Sequence, residues 1–213
     1  MKIKSFQGGY DKNFSYIIWC EKTKHAALID ASTELTPIKE YIEQNNLIFS
    51  KILITHTHYD HIAFLDDFLN YYSNLLVYCF HKPINLKTSY TKLIDYETIV
   101  IGDELIVALY TPGHFVDSMS FWDKKNNLLF TGDTVFVGRT GRTISDTSNI
   151  KDLYESVYNK ILKLPNETTI YPGHNYGFKP FITIKENIEL FDFFSCHNFD
   201  EFQKIMEKFE KNR

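Results

Sequence analysis

Apolar residues recur along the chain with two different periods, and the switches between them divide it into strands and helices. "MKIKSF" and, past a Gly-Gly turn, "NFSYIIWC" read as two strands, the second alternating with period 2. "KHAALID" reads as a third strand ending at Asp30. In "TELTPIKEYIEQNN" the period lengthens, and Leu35, Ile38, Tyr41 and Ile42 share one stripe of a helix that Asn45-Asn46 stops. "FSKILIT" predicts a short buried strand, "DHIAFLDDFLNYY" a helix starting just after it, and "NLLVYCF" another strand. "ETIVIGDELIVALYTPG" predicts two strands about a Gly-Asp turn, and "SMSFWDKKNNLLFTGD" a hairpin turning at the polar "DKKNN". A glycine-punctuated loop, "VGRTGRT", then leads to a helix from about Asp152 to Leu164. A strand at "ETTIYPGH" and helices near "KENIELFDFF" and "DEFQKIMEKFE" follow.

Strands and helices mix throughout, with more hairpin signals than a purely parallel sheet carries, so one α/β domain is the economical expectation. No repeat, low-complexity tract or linker interrupts it. The domain is expected over residues 1–195. Residues 196–213 are expected as an amphipathic helix packed on its edge, with Glu201, Lys204, Glu207, Lys208, Glu210 and Lys211 around Phe202, Ile205 and Phe209.

Composition narrows the function classes. The 213 residues are 44% hydrophobic, enough for a sizeable core. The net charge of -4 lacks the basic footprint of a nucleic-acid binder, and the aromatics are spread evenly instead of clustering as a base-stacking platform. No run approaches the roughly 18 apolar residues of a membrane span. The N-terminal stretch has no apolar signal core, and Cys20, Cys79 and Cys196 form no C-x-x-C pair, so reduced thiols in a cytoplasmic protein are expected. The pattern sets no oligomeric state.

The chemistry concentrates in "ITHTHYDHIAF", residues 54–64, which holds three of the chain's eight histidines. On an extended strand end, His56 and His58 share one face, while Asp60 and His61 at the following turn aim at a second point nearby. Imidazole and carboxylate are donors that Zn²⁺ and Fe²⁺ accept. The alternative, a polar loop whose histidines only hydrogen-bond, weakens on three further stretches. "YTPGH" ends at His114, "LFTGD" at Asp133 and "TIYPGH" at His174. Each is a short strand, then a small residue that permits close approach, then one potential ligand.

H-x-H-x-D-H followed by strand-end His, Asp and His resembles the metallo-β-lactamase superfamily, from about residue 50 to 185. The resemblance implies an αββα four-layer sandwich with the site at one edge between the sheets. It further implies two divalent metal ions, zinc in the first instance with iron possible. His56, His58 and His114 would hold the first, and Asp60, His61 and His174 the second, with Asp133 bridging. His25, His81 and His197 match no motif. Secreted β-lactamases lack the bridging aspartate, the nucleases add basic elements, and the flavodiiron branch has glutamate where His58 stands. "TGDTVFVGRTGRT" and "YPGHNYG" are similar instead to glyoxalase II (hydroxyacylglutathione hydrolase) and its sister persulfide dioxygenases.

The hydrolase branch implies attack on a thioester, such as an S-acylglutathione, by metal-activated water, with Asp60 orienting the nucleophile. The dioxygenase branch implies one Fe²⁺ on His56, His114 and Asp133. Both chemistries fit the residues present, and a metal-binding module without turnover is the reading from another class. Arg139, Arg142 and Tyr176 are candidate substrate contacts, with loop-bonding arginines and a core tyrosine as the plainer roles. The sequence departs from the pattern in "IAFL" after the D-H, in Phe115 where threonine is usual, and in Asp117 in place of a common glycine. The 39 residues after His174 are too few for the helical C-terminal domain that helps glyoxalase II hold glutathione. The expected partner is a small molecule, such as a glutathione conjugate, and neither nucleic acid nor membrane.

Overall fold

The computed structural model describes residues 1–211, so residues 212 and 213, the last two of the expected terminal helix, lie outside the described residues. Two six-stranded mixed sheets stack face to face, each with helices on its outer side. The first sheet runs β1 (Lys2–Gly8), β2 (Asn13–Trp19), β3 (His25–Ile29), β4 (Ile48–Leu53), β5 (Leu76–Phe80) and β6 (Thr91–Leu93), neighbours in sequence being neighbours in space. The second has the spatial order β12 (Ile182–Thr183), β11 (Thr169–Pro172), β10 (Leu128–Gly132), β9 (Met119–Asp123), β8 (Glu104–Tyr110) and β7 (Glu97–Ile101).

Alternation along single strands builds the layers. On β2, Phe14, Tyr16 and Ile18 enter the core between the sheets, while Ile17 and Trp19 face a second core. That second core is closed by α1 (Leu35–Gln44) and α2 (Leu65–Tyr71) through Ile38, Ile42, Leu65 and Phe68. On β10, Phe130 points between the sheets and Leu129 points out. There it meets α3 (Ile150–Tyr154), α4 (Ile184–Leu190) and α5 (Phe199–Lys211) through Leu153, Ile184, Phe202 and Met206. Both faces of the central strands are thus covered, which is why β2 is buried along its whole length. The result is the expected four-layer αββα sandwich. Truncating a fully buried ring such as Phe121 or Phe130 would cost about 3–5 kcal/mol.

Local differences from the sequence expectation have identifiable causes. The helix expected from Asp60 is broken into a single tight turn at Tyr59–His61, and α2 starts only at Leu65. The break follows from the His61 ring turning inward to bond Asp30 and from the Phe64 N–H pairing with the Ala31 carbonyl at 3.0 Å. The helix expected at 152–164 starts earlier, because the Asn149 side chain caps it by accepting from the Lys151 and Asp152 N–H groups. It then widens into a π turn over Glu155–Lys160, and Leu153 before it, Val157 within it and Ile161 after it keep a buried stripe at four-residue spacing. β6 and β12, three and two residues long, are too short to show alternation in sequence.

The strand directions matter most for function. β3 and β4 run parallel, and β8 and β10 both run antiparallel to β9, with β11 parallel to β10. The C-terminal ends of β8, β10 and β11 therefore emerge on one edge of their sheet. The two sheets are stitched along that edge by Met119 N–H to Thr55 O at 2.6 Å and Phe14 N–H to Gly173 O at 2.7 Å. The Tyr16 hydroxyl adds a bond to the Pro172 carbonyl at 2.6 Å.

Candidate metal centre

Seven side chains meet at that edge. β4 leads into His56, His58, Asp60 and His61; β8 leads into His114; β10 leads into Asp133; and β11 leads into His174. Their donor atoms form overlapping sets within 4.8 Å of one another: His56, His58 and His114; His56, His61 and Asp133; and Asp60, His61 and His174. In the first, His58 Nδ1 lies 3.0 Å from His56 Nε2 and 3.1 Å from His114 Nε2. In the last, His174 Nε2 lies 3.3 Å from His61 Nε2 and 3.2 Å from Asp60 Oδ2. Asp133 stands between the two, its Oδ2 3.6 Å from His114 Nε2 and 3.3 Å from His174 Nε2.

The outward nitrogens explain why the inward ones converge. His114 Nδ1–H donates to the Arg142 carbonyl and His174 Nδ1–H to the Asp11 carbonyl, both at 2.8 Å. His61 Nδ1–H donates to Asp30 Oδ2 at 2.8 Å. Thr55 gives its hydroxyl proton to the same Asp30 oxygen at 2.7 Å, so its Oγ1 accepts from His56 Nδ1–H at 3.2 Å. Each bond fixes the ring and its tautomer, leaving the Nε2 lone pair directed inward, as metal ligation requires. His58 is the exception, presenting Nδ1 to the centre. Asp133 Oδ1, though buried, has no aligned donor among the described residues. A buried carboxylate oxygen whose neighbour His61 Nε2, at 3.2 Å, is not aligned as a donor, and nitrogens facing nitrogens, are a donor set that a divalent cation completes.

The electrostatics divide the centre. Burial, with the neighbouring charges of His61 and His114, drives His56 well below the ordinary histidine value, and burial with His114 takes His58 down to about 4. Burial also opposes charge on His61 and His174, but Asp133, joined by Asp30 at His61 and by Asp60 at His174, outweighs it. His61 is raised and His174 reaches about 10. Asp60 and Asp133 are held well below the carboxylate range despite burial, through His174 and His61. Two imidazoles held neutral, His56 and His58, thus sit beside two carboxylates whose charge is balanced by protons, which a cation can replace.

Glycine is needed for close approach at two places. A Cβ on Gly173 would fall 2.3 Å from Asp133 Oδ1 and 2.7 Å from His61 Cε1. Gly113 has φ +138, and a Cβ there would meet the Leu153 backbone at 2.3 Å.

A cavity of about 380 Å³ opens beside the centre, lined among others by His58, His114, Asp133, Arg139, Arg142, Tyr176 and Phe209. The three expected substrate residues are therefore brought to one wall. Arg139 lies 4.3 Å over the Tyr176 ring and 5.2 Å over Phe209, and Arg142 lies 5.3 Å over Phe209. The Nε atoms of both arginines are buried without a partner among the described residues. Tyr176 stacks on His174 at 4.7 Å and donates its hydroxyl to Asp11 Oδ2. Phe209 comes from α5, whose Glu210 accepts from the Thr143 N–H at 2.6 Å.

Three residues escape sequence reasoning. Asp30, 2% exposed and at φ 54, orients both His61 and Thr55. Asn13 Nδ2 donates to Asp60 Oδ2 at 2.8 Å, and Asp11 anchors His174 and Tyr176. A signal for Asp30 existed, since "ALID" repeats the design of a short strand ending in a donor residue. Asp11 and Asn13 lie in a polar turn that looks like any other.

The Metallo-beta-lactamase superfamily model matches residues 8–174, and the chain belongs to that superfamily. It is 32% identical over 173 residues to a probable hydroxyacylglutathione hydrolase, glo2, of Schizosaccharomyces pombe, covering 79% of this chain and 66% of that protein. It is 30% identical over 178 residues to a probable polyketide biosynthesis zinc-dependent hydrolase, PksB, of Bacillus subtilis, covering 82% of this chain and 78% of the relative. Among solved structures, ETHE1 from Myxococcus xanthus superposes with TM-score 0.85 at 26% identity, over 98% of this chain and 91% of that one. No helix among the described residues is long and apolar enough to cross a membrane.

Proposed function

We propose that the protein is a metal-dependent thioester hydrolase. Two divalent ions, zinc in the first instance, would be held by His56, His58 and His114 and by Asp60, His61 and His174, with Asp133 shared. The observation that carries this reading is the second donor cluster: Asp60, His61 and His174 converge independently of the first three histidines. The relatives named as hydroxyacylglutathione hydrolase and zinc-dependent hydrolase support it.

The chemistry supplied by divalent ions held there is Lewis acidity, which polarises a carbonyl and makes water nucleophilic near neutral pH. The chain's residues do the rest. Asp60, steadied by the Asn13 amide on its Oδ2, orients the attacking water. Arg139 and Arg142 bind an anionic group of the thiol portion from the cavity wall, with Tyr176 beneath Arg139. The leaving thiol, with a pKa near 8.5, departs as thiolate without a dedicated acid. The substrate is accordingly a small anionic thioester, such as an S-acylglutathione, and the expected setting is the cytoplasm.

The likeness to ETHE1 supports a second reading, a persulfide dioxygenase with one iron on His56, His114 and Asp133. That reading leaves the Asp60–His61–His174 cluster unused. Metal content per chain, measured by mass spectrometry on protein purified without added metal, separates the two. Two equivalents, mainly zinc, with hydrolysis of S-lactoylglutathione support the hydrolase. One equivalent of iron with oxygen uptake on glutathione persulfide replaces it, and no metal after reconstitution defeats both.

A further inference from the structure

The side chain between the first two histidines points away from the centre into a clamp. Thr57 is 1% exposed and all of its polar atoms are engaged. Its N–H donates to Asp117 Oδ1 at 3.1 Å, and its hydroxyl donates to Asp117 Oδ2. Its Oγ1 accepts from the Asn85 N–H at 3.1 Å, and its carbonyl accepts from Asn85 Nδ2 at 2.8 Å. Asp117 Oδ2 also accepts the Ile84 N–H at 2.9 Å. One carboxylate, 2% exposed, therefore joins the segment after β4 to the loop after β5.

Asp117 itself belongs to the loop that carries His114, three residues upstream. That loop is closed on itself by Thr111 N–H to Ser118 O at 2.9 Å and Ser118 N–H to Phe115 O at 3.3 Å. Phe115 packs its ring on His58 with centroids 4.2 Å apart. Beside that ring contact, the Thr57–Asp117 bonds fix His56 and His58 against His114 without touching any of their rings. By contrast, Asp60, His61 and His174 take their supports from Asn13, Asp30 and the Asp11 carbonyl.

We infer that Asp117 is a positioning residue for the first donor cluster alone, setting the spacing of His56 and His58 against His114 and thereby the affinity for one of the two ions. The inference rests on the two-ion reading above. Orienting contacts around metal ligands are worth about 10–100-fold in affinity, so removing this one should weaken the first ion by that factor and spare the second.

The test is Zn²⁺ titration of metal-free protein against a chromophoric chelator, with thermal melting of the same metal-free samples. In Asp117→Asn one oxygen becomes an NH₂ group that faces N–H donors, and in Thr57→Val the hydroxyl arm is lost. Both variants should keep one tight equivalent and bind the other about 10–100-fold more weakly. Thr57→Ser restores the hydroxyl and should hold two. The double variant Asp117→Asn/His174→Ala should hold no tight equivalent, which places the loss in the first cluster. Two undiminished equivalents in Asp117→Asn overturn the inference alone. Loss of both equivalents together with the melting transition shows a general folding role and also overturns it. Failure of the unmodified protein to bind two overturns the two-ion reading and the inference with it.

Discussion

Replacing Asp30 by alanine isolates the support of His61, and through Thr55 of His56, from the metal itself. The Asp30 carboxylate accepts Thr55 N–H at 2.7 Å, the Thr55 hydroxyl at 2.7 Å and His61 Nδ1–H at 2.8 Å. Thr55 is 1% and His61 0% exposed, so water cannot take over these bonds. The hydroxyl can rotate, but the two N–H groups are stranded, at about 1–3 kcal/mol each. Losing the partner of a buried charged ring adds to this, and breaking such pairs costs about 3–5 kcal/mol in total. Against a total stability of about 5–15 kcal/mol, that is a large fraction. The assay is urea unfolding of the chelator-treated protein, so that lost metal does not enter the difference. With m about 3 kcal/mol/M, the midpoint should fall by at least about 1 M. Asp30→Asn, which keeps the volume and one acceptor, should fall between. A change below about 1 kcal/mol for Asp30→Ala would refute the reasoning, because it would mean the stranded groups find partners the native packing does not offer.

Other consequences follow from the same geometry. Gly173→Ala places a methyl group 2.3 Å from Asp133 Oδ1, so metal per chain should drop to one equivalent or less while the fold persists, checked by mass spectrometry and circular dichroism. His174, raised to about 10 from 6.5, stabilises the metal-free protein fully below pH 6.5 and loses that contribution as pH rises through about 10. The melting temperature of metal-free protein should therefore be lower at pH 10 than at pH 6. The same proton must leave when a cation binds, so calorimetry at pH 7.5 in buffers of different ionisation enthalpy should show proton release on Zn²⁺ addition. Arg139→Met keeps the stem over Tyr176 but removes a charge, worth about 1.5–3 kcal/mol in a charge-assisted bond. KM for an anionic thioester should rise about 10–100-fold with kcat within about threefold, and an uncharged thioester should show no change.

The seven side chains that converge were legible as candidates: four lie in the H-x-H-x-D-H cluster, and His114, Asp133 and His174 each follow an apolar strand and a small residue. So were ten of the twelve described strands, from alternation and turn signals, whereas the αββα layering was implied by the family resemblance and not by periodicity. What sequence left open was every contact made by polar residues in unremarkable surroundings. Asp11 and Asn13 look like turn residues until β2 and β11 are joined at Asn13 and His174. Asp117 stands out in sequence only as a departure from a common glycine, and its three donors come from segments 33 and 60 residues away. Phe209, read as one residue of an edge helix, lies in the cavity wall beneath two guanidinium groups.

The division has a physical origin. Periodicity and strand-end motifs are local, so the chain by itself determined which residues are candidate donors and that they follow strand ends. Parallel pairing of β10 with β11 and of β3 with β4 brings those ends to one edge, and such pairing is set by nonlocal packing. Only tertiary structure decided which nitrogen of each ring faces inward, because that choice is made by carbonyls, hydroxyls and carboxylates distant in sequence from most of the rings they hold.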